Sequence, residues 1–87
     1  MTTNNFEPQP RDAQLETLHN LVTFCERLIQ KSLAERSFRL AWSWHDSLSG
    51  AYMLARWLGL EEPGHRDREK MWFERIKTAQ FGPHGKE

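Results

Sequence analysis

The chain has 87 residues, and its twelve basic and twelve acidic side chains give a formal net charge of zero. A chain of this size makes one small domain that buries only about 60–65% of its unfolded surface, and without disulfides or a metal the usual remedy is association. The charge balance argues against a duplex-DNA binder, which carries a positive excess, and against a strongly acidic DNA mimic.

Cys25 is the single cysteine, which leaves no internal disulfide and no multi-cysteine metal site. The opening MTTNNFEPQP has neither the basic nor the apolar segment of a signal peptide. The apolar run around YMLARWLGL is too short to span a bilayer and contains Arg56. The expectation is a cytoplasmic protein with no membrane partner.

Residues 1–10 are polar and hold Pro8 and Pro10, the pattern of an extended arm that Phe6 alone anchors; a disordered tail fits the same residues. From Arg11 the pattern turns helical. Leu15, Leu18, Val22, Cys25 and Ile29 recur at spacings of 3, 4, 3 and 4, and Leu21 and Leu28 widen the stripe. This predicts an amphipathic helix running to about Lys31. Ser32 followed by Glu35 has the form of a capping box, so a second helix is expected from about Leu33 after a very short turn, giving an antiparallel hairpin. A continuous bent helix through Ser32 is the alternative.

The second helix is expected to reach Leu58, with Gly59 in a left-handed cap, Leu60 as its apolar lid and Pro63-Gly64 closing the turn. Its inward stripe is Phe38, Ala41, Trp44 or His45, Leu48, Ala51 or Tyr52, Ala55 and Leu58. Leu40, Leu54 and Trp57 form a further apolar face, Trp42 and Met53 another. A helix apolar on several sides belongs in a core or between subunits, and so short a chain has too few residues to cover it. A homo-oligomer or a partner complex is therefore expected. A third, shorter helix covers about 66–79, with Trp72 or Phe73, Ile76 and Ala79 inward. Its alternating charges, Arg66, Asp67, Arg68, Glu69, Lys70, Glu74 and Lys77, face solvent. Residues 80–87 read as a flexible tail. The fold expected is all-α: one domain over 1–87, an antiparallel hairpin of two long helices with a shorter C-terminal helix, assembled as an oligomer.

Ser43, His45, Asp46, Ser47 and Ser49 include the residue types of a hydrolytic triad. Neighbours on a helix diverge by about 100°, so His45 and Asp46 cannot face each other. Mid-helix also lacks the strained turn or helix N-terminus that makes an oxyanion hole. His19, His45, His65, His84 and Cys25 form no i, i+4 pair, and no glycine lies in a phosphate-loop pattern. No catalysis, metal or cofactor is expected.

Two features remain. Ser43, Ser47 and Gly50 line a groove of small residues on the second helix, and with Leu54 and Trp57 they form an expected interface. Between Arg27 and Arg39 the chain places Arg27, Lys31, Arg36 and Arg39 against a lone acid, Glu35. With helix-end amides and the rings of Phe38 and Trp42, this describes a pocket for a phosphate-bearing, base-containing ligand. Solubility of the hairpin tip is the plainer role. His45 lies on the border of the apolar stripe, either a ligand group or a buried histidine bonded to a neighbour.

The stretch ERSFRLAWSWHDSLSGAYMLAR, Glu35 to Arg56, resembles two sets of small phage-encoded helical-hairpin proteins. One is the anti-CBASS sponges, which oligomerise and sequester cyclic nucleotide signals. Their second helix similarly opens on Arg-Ser before an aliphatic stripe, and an N-terminal aromatic, here Phe6, contacts ligand. The other is a dimeric phage anti-quorum-sensing hairpin, similar at Arg36-Ser37-Phe38-Arg39 and at Trp44. His45-Asp46 stands where the sponges carry two acids, and the third helix is extra. The resemblance implies a non-enzymatic anti-defence protein that sequesters a nucleotide-type signal, with Phe6, Arg36 and Arg39 as contacts; the basic, aromatic tip adds Lys31 and Trp42, and His45 completes the expected ligand set. The alternative is an inhibitor that binds a host protein through a surface of Trp42, Trp57 and Trp72.

Overall fold

A computed structural model describes residues 10–82, which form three helices and, among the described residues, no strand. Helix α1 spans Arg11–Ala34, α2 spans Phe38–Trp57 and α3 spans His65–Phe81. No described helix is long and apolar enough to cross a membrane.

The 3-4 spacing of α1 puts Leu18, Val22, Cys25 and Ile29 on one buried face. Ser32 continues that face and is itself buried, so α1 runs a turn past the expected break. The capping box is thus not a helix start. The chain turns at Glu35–Ser37 instead, through a Schellman closure: Ser37 N–H donates to Ser32 O at 2.8 Å and Arg36 N–H to Leu33 O at 3.0 Å. Arg36 takes the left-handed position usually given to glycine, at φ 55°. The same motif ends α2 as expected, with Gly59 at φ 73° and Leu60 N–H reaching Ala55 O at 2.7 Å. Leu60 is buried beneath it.

Helix α2 packs mainly along α1 and buries Ala41, His45, Leu48, Ala51, Tyr52 and Ala55. Both members of the expected pair Ala51 and Tyr52 turn inward, while Leu58 is more than half exposed because the chain is already leaving the helix there. The start of α1 lies beside the end of α2, where Arg11 Nη1 donates to Gly59 O at 3.1 Å.

Helix α3 docks within its own chain. Trp72 and Ile76 are buried, whereas Phe73 is partly exposed at the edge of the core. Two of the charges expected in solvent turn back instead. Ser49 Oγ on α2 donates to Glu69 Oε2 at 2.6 Å, and Arg68 pairs with Glu26 of α1. The helix also continues to Phe81, so Gln80 and Phe81 belong to it rather than to a tail.

Candidate functional site

Helix α3 covers one side of the α1–α2 pair, and the contacts that seat it define the polar interior. Glu26 is 8% exposed and sits between Val22 and Ile29 on the flank of the buried stripe of α1. It accepts from Arg68 Nη2 at 2.9 Å, from Arg68 Nε, and from the buried indole Nε1 of Trp72 at 2.8 Å. Burial pushes the Glu26 carboxyl up, but the bonds from Arg68 and Trp72 and the charge of Arg68 outweigh it and hold the group below its ordinary range. Beside it the Tyr52 hydroxyl is buried and has no hydrogen-bond partner among the described residues. Burial, with the carboxylates of Glu26 and Glu69 adding, raises that phenol to about 12.

His65 stacks on the Tyr52 ring at 4.6 Å between centroids. Its Nδ1 accepts the Glu62 N–H at 3.4 Å, which leaves the Nε2 proton facing Glu62 Oε1 at 3.6 Å. His19 Nε2 donates to the same oxygen at 2.9 Å, and this bond is the main reason the Glu62 carboxyl lies below its usual range. Among the described residues no group of three or more such side chains is arranged to hold a metal ion.

The expected ligand residues fall into two places. Lys31, Arg36 and Arg39 are exposed at the turn between α1 and α2, joined there by Arg27. Among the described residues none of the four has a carboxylate within ion-pair distance. The Arg36 guanidinium lies 5.1 Å from the centroid of the Phe38 ring. Ser37 places no side chain on the first amides of α2, and no acid occupies that first turn.

Trp42 and His45 sit together under α3, away from that end. Trp42 Nε1 donates to Gln80 Oε1 at 2.8 Å, and its ring meets those of His45 and Phe73 edge-on at 5.9 and 5.2 Å. His45 is 6% exposed, with Nε2 3.2 Å from the Glu69 carbonyl oxygen; a carbonyl only accepts, so Nε2 carries the proton. Asp46, its neighbour in sequence, is exposed. Phe6 lies outside the described residues.

No protein-family model, curated protein or solved structure matches the chain.

The expected interface residues are all exposed. Ser43, Ser47 and Gly50 lie on the side of α2 away from α3, continuous with Leu40 and Leu54, both half exposed, and with Trp57 at 78%. A Cβ added to Gly50 meets no atom within 4 Å. The α1 side of this face carries Leu21 and Phe24, and Phe24 meets Trp44 edge-on at 5.7 Å. A groove of about 160 Å³ runs between the helices, lined by Thr17, Leu21, Leu54 and Leu58. Trp72, expected on a tryptophan surface, is buried instead, because its indole N–H is held by Glu26. The surface keeps only Trp57 fully in the open.

Sequence reasoning gave no site role to Glu26, to Arg68, to Tyr52 or to the His19–Glu62–His65 contact. Only Glu26 left a signal: it stands four residues after Val22 and three before Ile29, so helical spacing puts its carboxylate beside the apolar stripe.

Proposed function

We propose that the protein is a non-enzymatic binding protein, an antiparallel helical hairpin braced by α3, which works as a homo-oligomer and sequesters a phosphate-bearing, nucleotide-type signal. The observation that carries this is the cluster of Arg27, Lys31, Arg36 and Arg39, exposed and without carboxylate partners among the described residues at one end of the α1–α2 pair. The uncapped first amides of α2 add donors where a phosphate oxygen can sit. Lys31, Arg36 and Arg39 neutralise the phosphates, and Phe38, already under the Arg36 guanidinium, offers a ring for a base. Trp42 and His45 lie away from this end and are not ligand contacts in this reading, since Gln80 holds Trp42 Nε1 and the Glu69 carbonyl holds His45 Nε2. The resemblance to phage sponges supplies the ligand class and an anti-defence role in the host cytoplasm. Burial of His45, with Asp46 pointing elsewhere, favours binding over catalysis.

Isothermal titration against cyclic di- and trinucleotides tests the reading. One of them should bind with Kd below about 10 μM, roughly −7 kcal/mol, and Arg36→Ala should weaken it at least about tenfold. No binding across the panel overturns it.

A second reading, an inhibitor that docks on a host protein, is favoured by one observation: the exposure of Trp57 at the end of an apolar face, since tryptophan anchors are common binding hot spots. Recovery of no stoichiometric partner on immobilised protein refutes it.

A further inference from the structure

The bare face of the α1–α2 pair is the largest feature that the ligand reading leaves unused. On α2 it consists of Leu40, Ser43, Ser47, Gly50, Leu54 and Trp57, spaced 3, 4, 3, 4 and 3, all exposed. Such a seam, two positions in every seven, is what one helix presents to another. Small residues fill its middle and large ones its ends. If the same helix is laid across it antiparallel, Ser47 meets Gly50, Ser43 meets Leu54 and Leu40 meets Trp57. Small residues then oppose each other at the centre, where the backbones approach most closely, and large ones close the ends.

Helix α1 repeats the pattern on the same side of the molecule. Gln14, Thr17, Leu21, Phe24, Leu28 and Lys31 are also spaced 3, 4, 3, 4 and 3, and their midpoint lies between Leu21 and Phe24. Leu21 and Leu54 line one groove, and Phe24 touches Trp44, so the midpoints of the two seams stand level across the pair. One twofold axis therefore serves both helices.

Charge selects the same orientation. One end of the pair carries Arg27, Lys31, Arg36 and Arg39 against Glu35; the other carries Asp12, Glu16, Glu61 and Glu62 against Arg11 and Arg56. The antiparallel register sets each basic end over a partner's acidic end. A parallel pair would stack like on like. The face is about 30 Å long and two helices wide, so two copies bury on the order of 1,200 Å², enough for a specific dimer.

We infer that this face is covered by a second copy of the chain, docked antiparallel about a twofold axis that crosses α2 between Ser47 and Gly50. The inference deepens the proposed assembly and rests on it for nothing but the oligomer; the ligand reading stands or falls apart from it.

Sedimentation equilibrium near 50 μM protein should give twice the chain mass of 10.3 kDa. Gly50→Glu, placed where a single chain has free space, should weaken dimerisation more than about a hundredfold. Its helical circular dichroism should persist, and Ser47→Arg gives the same readout should the first variant fold poorly. Orientation is read by cross-linking. Residues 40 and 57 of one helix are about 26 Å apart, so in an antiparallel pair Leu40→Cys does not oxidise to a homodimer, but it does cross-link to Trp57→Cys when the two are mixed. Cys25 is buried and does not interfere. A monomeric wild type overturns the inference and leaves the face to another protein. So does a dimer indifferent to Gly50→Glu, or one in which Leu40→Cys links to itself. Nucleotide titration of the same variants separates loss of the dimer from loss of the ligand.

Discussion

Glu26→Ala tests the joint that holds α3 to α1. The substitution leaves the indole N–H of Trp72, a residue only 3% exposed, without its acceptor, which costs about 1–3 kcal/mol. Arg68 also loses its partner, but its side chain is half exposed and water replaces much of the bond, so that loss adds no more than about 1 kcal/mol. The expected total is about 2–3 kcal/mol, a fall in Tm of about 10–20 °C for a chain of this size. Glu26→Gln keeps an oxygen for Trp72 and loses the charge alone, so it should cost about 1 kcal/mol. In a Trp72→Phe background, which has no donor, Glu26→Ala should cost at least about 1 kcal/mol less than in wild type. Thermal and urea unfolding followed by circular dichroism, at one fixed protein concentration, measures all four variants. The pH dependence has a definite sign. Because the folded carboxyl lies below its ordinary range, its contribution is complete above that range and is lost as pH falls through the lowered folded value. The gap between wild type and Glu26→Gln should therefore be full above the ordinary carboxylate range and close as pH falls through the lowered folded value. A Glu26→Ala variant within about 0.5 kcal/mol of wild type refutes the reasoning, because it means α3 is not seated by this contact.

Arg36→Gly should stabilise the protein by about 0.5–1 kcal/mol in thermal unfolding, since glycine removes the Cβ penalty at φ 55°; any loss of stability shows that the guanidinium contact with Phe38 outweighs the strain. His45→Ala should lower stability by about 2 kcal/mol through lost packing and the lost bond to Glu69, and a variant as stable as wild type makes His45 a ligand group instead. The Tyr52 phenol should resist ionisation until about pH 12 in ultraviolet difference spectra, and Tyr52→Phe should be neutral or stabilising because no described group loses a partner. Cys25, at 1% exposure and with its thiol pushed up first by burial and then by Glu26, should react with a thiol reagent only after denaturation.

The end of α2 was legible because Gly59-Leu60 is a recognisable pair for a left-handed cap and its lid. The end of α1 was not. Its closure uses the same hydrogen bonds but puts an arginine in the left-handed position, a residue type with no such signature. The Ser32–Glu35 spacing lost to packing: Ser32 follows Ile29 on the buried face, so the helix gains by running on. The helical stripes carried the core through Leu18, Val22, Cys25, Ile29, Leu48 and Ile76, since each depends on neighbours three and four residues away. Glu26 illustrates what local spacing withholds. Its position beside the stripe was readable, but the partners that make it tolerable there, Arg68 and Trp72, are 42 and 46 residues distant. Likewise the basic cluster could be counted from composition, whereas Trp42 was committed to Gln80, a residue that read as tail. His45 stood on the border by periodicity, and a backbone carbonyl of α3 decided it.

The four tryptophans occupy four unlike surroundings. Trp72 is sealed and bonded to a carboxylate, Trp42 is tied to the last turn of α3, Trp44 packs on Phe24, and Trp57 stands in water. The molecule therefore carries its own optical labels. Emission from Trp72 and Trp42 follows the docking of the middle and the last turn of α3, Trp44 follows the joint between α1 and α2, and Trp57 follows whatever arrives on the bare face. Folding and assembly, blended in any measure of total helix, are separated in this chain by which indole changes colour.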